Sequence, residues 1–190
     1  MLVPFAAYAE DSTFTGEVAL TGDRLSDFLA STVEFEVLNL SFRALDDGRV
    51  VDALHAPVLR DDLCLVLAGE PRGREELRVW TRQFAVVASV GPYVVRGYVH
   101  APPTIDPMKL PSRRTIVALT AGSITYGEAG TTREIEAETV LVNSSRIERF
   151  EPAMAEEIDR GAIFETGPDG GEAPEAAEPA TREPAADPGA

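Results

Sequence analysis

The stretch Thr32-Val33-Glu34-Phe35-Glu36-Val37-Leu38-Asn39-Leu40-Ser41-Phe42 decides the fold class. Val33, Phe35 and Val37 alternate with Thr32, Glu34 and Glu36, which is the period of a strand with one wet face. Just before it, Leu25, Phe28 and Leu29 stand at i, i+3 and i+4, an apolar stripe on two turns of helix. Asp23 is the expected cap of that helix, and Ser26 and Asp27 suit the positive end of its dipole. A helix this short is unstable alone, so it is expected to lie as a lid on a sheet or at the end of a barrel. Thr15-Gly16-Glu17-Val18-Ala19-Leu20 supplies the preceding strand, and the whole unit covers residues 15–42.

Outward from this unit the chain continues in short apolar segments separated by turns. Residues 4–8 and 14–20 flank the polar turn Glu10-Asp11-Ser12, and Asp46-Asp47-Gly48-Arg49 carries the Asp-Gly pair of a hairpin. Leu63-Cys64-Leu65-Val66-Leu67 is apolar on both faces and predicts a central, covered strand. Cys64, the single cysteine, excludes an internal disulfide and reads as a buried small hydrophobe. Pro, Gly and charge in residues 70–79 break every period and mark a junction.

Past the junction the plan recurs. Gly91-Pro92 is a turn, residues 89–99 resemble residues 9–18, and residues 115–125 match 33–43. Thr139-Val140-Leu141-Val142-Asn143 is matched to residues 63–67. These parallels predict a mainly β chain of two similar halves, residues 1–69 and 80–152, each a bent sheet or small open barrel with a short helix. In the second half the helix is nearly lost: Asp106 caps and Pro107 opens it, but Pro111 stops it after about a turn. Residues 153–164 are expected to form a short helix or extended segment with Met154 and Ile158 at i and i+4. The acidic, Pro- and Gly-rich residues 165–190 cannot bury enough apolar surface to order themselves.

Taken together, the Gly-containing strand, the segment Arg24-Leu25-Ser26-Asp27-Phe28-Leu29 and a closing strand such as Val140-Leu141-Val142-Asn143 resemble a group of small, uncharacterised bacterial β-rich domains. In that group a strand leads into an Arg-Leu/Val-Ser-Asp-x-Leu helix. The resemblance spans residues 5–69 and, less fully, 80–152. It implies a bacterial origin and a compact barrel-like unit, and it brings no activity with it.

The formal charge of −15 argues against nucleic acid as a partner, since a phosphate backbone is met by a basic face. Residues 165–190 hold seven acidic residues and one arginine, so −9 remains on the rest. No secretory signal opens the sequence and no apolar run reaches the roughly 18 residues of a membrane span, so a cytoplasmic protein without a membrane partner is expected.

His55 and His100 each begin a His-Ala-Pro tripeptide at the end of an apolar segment, and no metal-binding spacing accompanies them; no metal or cofactor is expected. Arg24, Ser26 and Asp27 lack a nucleophile elbow and a nearby histidine, so capping explains them and no catalytic residue is assigned. The positive feature is arginine. Arg78, Trp80 and Arg82 would share one strand face beside Tyr93 and Tyr98, with Arg113 and Arg114 at the start of another strand, a composition suited to a protein or an anionic ligand. The expected function is a non-catalytic binding or scaffold module that engages a protein through a sheet edge or this arginine-aromatic face. The alternative is a small-molecule or anionic-ligand sensor with a pocket between the halves. Truncation after Phe164 should leave the melting temperature of the protein unchanged; a drop of several degrees would show that the tail docks.

Overall fold

The computed structural model describes residues 1–20, 22, 24–69, 80–155 and 158. Its body is one antiparallel sheet of ten strands. In chain order these are β1 (Leu2–Ala9), β2 (Ser12–Ala19), β3 (Glu34–Ala44), β4 (Val50–Leu59), β5 (Leu63–Leu67), β6 (Arg82–Val90), β7 (Tyr93–Ala101), β8 (Ile116–Glu128), β9 (Thr131–Asn143) and β10 (Ile147–Pro152). The helix α1 (Leu25–Ser31) joins β2 to β3, and the 3-10 turn Pro107–Lys109 joins β7 to β8. Two further 3-10 turns, Arg60–Asp62 and Ser144–Arg146, precede β5 and β10.

Across the sheet the strands run β10-β6-β7-β8-β9-β5-β1-β2-β3-β4. Each set of five thus has the same arrangement: its last strand pairs with its first, and the other three follow as a meander. The two sets join where β5 pairs with β9, through Leu65↔Val142, Val66↔Leu141 and Leu67↔Val140. The chain is therefore one continuous sheet rather than two separate small barrels.

A recurrence of element order is thus present, while an internal duplication of sequence is not shown. One of the three expected segment matches is misplaced. Leu63–Leu67 corresponds by position to β10, not to the end of β9, and these two apolar runs are hydrogen-bonded neighbours. They look alike because both are covered on two faces.

Side-chain alternation sends residues of this central region into two cores. Val140 and Val142 point to the core formed with β6, β7 and β8, whereas Leu141 points to the core formed with β1, β2, β3 and α1. On β8, Val117 and Leu119 join the former, and Ile116 and Ala118 pack against the latter. The cores therefore lie on opposite faces of the sheet where the two sets meet.

Each set is bent by the same device. Register shifts between Thr15 and Glu17 on β2 and between Arg96 and Tyr98 on β7, leaving Gly16 and Gly97 at the bulges. Opposite them, Asn39 and Ala121 adopt positive φ of 50° and 47°. Such a bulge adds a residue to one strand, kinks it and strengthens the local twist. Glycine is required for close approach: a Cβ on Gly16 would stand 2.5 Å from Val37 Cγ1 and 2.7 Å from the Leu38 carbonyl oxygen.

The turns follow their residues. Gly91, with φ of 55°, opens the two-residue connection from Val90 to Tyr93, as a II′ hairpin requires. Ala129 and Gly130, both at positive φ, close the β8–β9 hairpin.

Leu25 and Leu29 are buried beneath α1 and the Phe28 ring meets Phe35 edge-on at 5.3 Å, so the helix is the expected lid. Its entry differs from expectation: Arg24 holds the cap position in extended conformation without a side-chain cap bond, and Asp23 lies outside the described residues. In the second set Asp106 does cap its short turn, accepting from the Met108 N–H at 3.0 Å. Beyond β10, Ile158 is buried and Met154 is exposed. Residues 156, 157 and 159–190, including the acidic tail, lie outside the described residues, as does the whole junction at 70–79.

Gly16→Ala should destabilise the protein by about 1–3 kcal/mol in urea unfolding, because backbone and Val37 must both shift. Gly127→Ala, where a Cβ meets nothing within 4 Å, should change stability by less than about 0.5 kcal/mol.

Candidate functional site

Three places gather unusual side chains: the Trp80–Arg82 pair, a buried tyrosine cluster between the two sets, and the free strand β4 with the groove beside it.

Trp80 is 69% exposed just ahead of β6, and the Arg82 guanidinium carbon lies 5.7 Å from its ring centroid. These two residues are therefore in contact, with Trp80 outside the strand, and such a cation–π contact contributes about 0.5–1 kcal/mol at an exposed site. The rest of the expected face does not assemble around them. Tyr93 is fully buried and pairs with Val90 at the opposite end of the β6–β7 hairpin, whereas Arg82 pairs with Ala101. Eight residues of strand, about 26 Å, separate these ends. Arg113 and Arg114 are exposed in the connection leading to β8, where both backbone N–H groups donate to the Leu110 carbonyl. Arg78 lies outside the described residues.

Tyr93 belongs to a cluster with Tyr8 and Tyr126, their centroids 5.5 to 5.8 Å apart. The Tyr93 hydroxyl donates to the carbonyl of Ala9 at 2.5 Å and approaches that of Ser12 at 3.3 Å, tying β7 to the β1–β2 turn. Burial pushes Tyr8 up to about 12, with the neighbouring Tyr126 and Glu128 adding to it, and raises Tyr93 and Tyr126 as well. Cys64, also buried, is pushed up to about 11, so it stays a protonated thiol at neutral pH.

Beside this cluster the carboxylate of Glu128 is buried and held by Arg43 at 3.3 Å and Arg133 at 3.1 Å. The Ala129 N–H donates to the Leu45 carbonyl, and the Leu45 N–H donates to that of Asp11. At the β5 entry Asn143 donates to the carbonyls of Arg60 and Leu63, and Arg146 donates to that of Asp61. These polar groups find their partners within the chain, which assigns them to holding the two sets together.

His100 bridges Thr81 and Thr120 at 3.4 and 2.8 Å and is a strand-end linker. Among the described residues no group of three His, Cys, Asp or Glu side chains is placed to hold a metal ion, and no helix is long and apolar enough to cross a membrane.

The third place is an edge. Among the described residues β4 pairs with β3 alone, through a register running from Glu34↔Leu59 to Arg43↔Val50, and its other side carries no strand. Most of its side chains are exposed, including apolar ones: Leu54 is 81% and Val51 52% exposed. Next to it lies a cavity of about 660 Å³, lined by Phe14, Leu40, Phe42, Val58 and Leu63 with Glu34 and Asp62 at its rim. That volume is in the range of ligand clefts and peptide grooves. It sits within the first set of strands. At the junction of the two sets a cavity of about 480 Å³ is lined by Ala68, Gly69, Thr120, Ala121, Glu138 and Thr139, with a carboxylate and no arginine. Sequence reading anticipated a sheet edge in general terms but did not single out β4; its run Val50-Val51-Asp52-Ala53-Leu54 was the available signal.

No family model matches this chain, and no curated protein and no solved structure is significantly similar to it.

Between pH 10 and 12 the protein should lose stability as pH rises. The unfolded chain releases its tyrosine protons near pH 10, whereas folded Tyr8 retains its proton to about 12, so alkali favours unfolding. Tyr93→Phe should cost about 1 kcal/mol at neutral pH through loss of the bond to Ala9, measured by urea unfolding.

Proposed function

We propose that this protein is a non-catalytic binding or scaffold module that engages another protein through the free edge of β4 and its adjoining groove. The observation that carries this reading is the difference between the two edges of the sheet. β10 is short, and its sequence Ile147-Glu148-Arg149-Phe150-Glu151-Pro152 interleaves three charged residues with its apolar ones. Those are the devices by which edge strands avoid further pairing. β4 is ten residues long and presents Val50, Val51, Ala53 and Leu54 to solvent, with Asp52 the one acid within it. A long apolar edge of this kind is a template for strand addition.

The Trp80–Arg82 pair is a smaller surface whose cation already rests on its own aromatic ring, so it is secondary in this reading. A cytoplasmic setting and the kinship with small bacterial β-rich domains belong to the same proposal, as does a protein rather than nucleic-acid partner, which the acidic charge favours.

Site-specific photo-crosslinking in the source cell tests the reading. A photoreactive residue at Leu54 should yield a defined crosslinked protein, and one at Glu148 on β10 should not. Equal crosslinking at both positions, or none at Leu54, would remove the reading.

A further inference from the structure

We infer that the occupant of the β4 edge is an extended segment of another protein in which apolar residues alternate with lysine or arginine. This rests on the reading above and adds the chemistry of the partner.

The two faces of the edge differ in chemistry. Phe42 lines the groove and pairs with Val51, so Val51 stands on the groove side. Ser41 pairs with Asp52, which therefore stands on the opposite face. Glu36 lies between the buried Phe35 and Val37, so it too is turned from the core, and it pairs with Pro57 of β4. A strand added beside β4 would thus meet apolar surface on one side and the carboxylates of Asp52 and Glu36 on the other, with Glu34 at the groove rim. Among the described residues these three acids have no cationic partner. The nearby cations are largely committed: Arg43 to Glu128 at 3.3 Å and Arg60 to Asp61 at 2.8 Å, leaving Arg49 at the turn.

Backbone chemistry confines an added strand to one end of β4. Pro57 has no N–H to give to a ladder, and proline is tolerated on an edge strand where its nitrogen faces away from the neighbour. At the other end the Ala44 N–H donates to the Arg49 carbonyl, so Arg49, Val51 and Ala53 turn their backbone groups toward β3, while Val50 and Asp52 turn theirs outward with free N–H and C=O groups, and a ladder can form along this end of the strand.

Charge decides between occupants. A second copy would bring another chain of −15 and a second Asp52 to the same edge. The tail of this chain, with seven acids and one arginine in residues 165–190, has the sign of the rim. A basic, alternating segment is the complement of both faces at once.

Fluorescence anisotropy with the full-length protein tests this, using a labelled decapeptide of alternating valine and lysine and a companion with glutamate in place of lysine. The lysine peptide should bind at least about tenfold more tightly than the glutamate one, and binding should weaken as salt is raised, because screening shortens the reach of the rim charges. With peptide bound, hydrogen exchange should slow at Val50 and Asp52. The double variant Val51→Lys/Leu54→Lys, at exposed positions, should keep its melting temperature and bind about tenfold more weakly, while Glu148→Lys on β10 should bind as the parent does. Equal affinity for both peptides, no saturation of the lysine peptide, or unchanged binding by the double variant would overturn the inference. So would a dimer in sedimentation equilibrium that the double variant dissolves, since a second copy would then hold the edge. If Leu54 crosslinks to a protein in cells while the two peptides bind alike, the binding-module reading stands and the basic partner is wrong; if crosslinking fails as well, both fall.

Discussion

The short ladder between β5 and β9 is the contact on which the rest of the structure depends. Three residue pairs, Leu65↔Val142, Val66↔Leu141 and Leu67↔Val140, turn two five-stranded sets into one sheet. A strand in this position has no wet face, because each side is covered by a different core. That is why Leu63-Cys64-Leu65-Val66 and Val140-Leu141-Val142 are uninterrupted apolar runs, and why a charge at any of them would be buried without a partner. The surrounding polar contacts follow from the same join. Tyr93 to Ala9, Asn143 to Leu63 and Glu128 to Arg43 each bridge the first and second sets. Each saturates a group that burial at the junction would otherwise leave unpaired.

A sheet that continues from one set into the next, instead of closing on itself, must end in two edges. Backbone groups at an edge are satisfied by water or by a partner, and side chains decide which. The charged β10 favours water, and the apolar β4 beside an open groove favours a partner. The bulges at Gly16 and Gly97 contribute here as well. By kinking β3, where Asn39 and Leu40 oppose Gly16 alone, the first bends the outer strands around Phe14, Leu40 and Phe42 and so forms the walls of the groove.

Much of the secondary structure was legible in local pattern. Alternation in residues 33–37 marked β3, the apolar run at 63–67 marked a covered strand, and Asp106-Pro107 marked the start of the second lid. What sequence could not supply was register between distant segments. Residues 139–143 and 63–67 share a composition because they share an environment, and only the pairing shows them to be neighbours instead of equivalents. The same limit misplaced Tyr93. Alternation shows that a residue points to one face, but not that this face is covered, nor that the hairpin turn puts Tyr93 far from Arg82. Positive φ at Ala121 was equally invisible, because alanine, unlike Asn39 at the matching place, carries no tolerance for it and the need arises from the glycine on the facing strand. The exposed edge of β4 escaped notice for a related reason: its valines read as core until the strand order leaves them without a neighbour.

Native-state hydrogen exchange tests the central claim, that one sheet joined at β5 and β9 forms a single cooperative body with an unpartnered side at β4. The account predicts that the amides of Leu65, Val66, Leu141 and Val142 exchange slowest, through global unfolding, that residues of both sets share this limit, and that Val50 and Asp52 exchange fastest among strand amides. Two separate unfolding limits, one for residues 1–69 and another for residues 80–152, would contradict it.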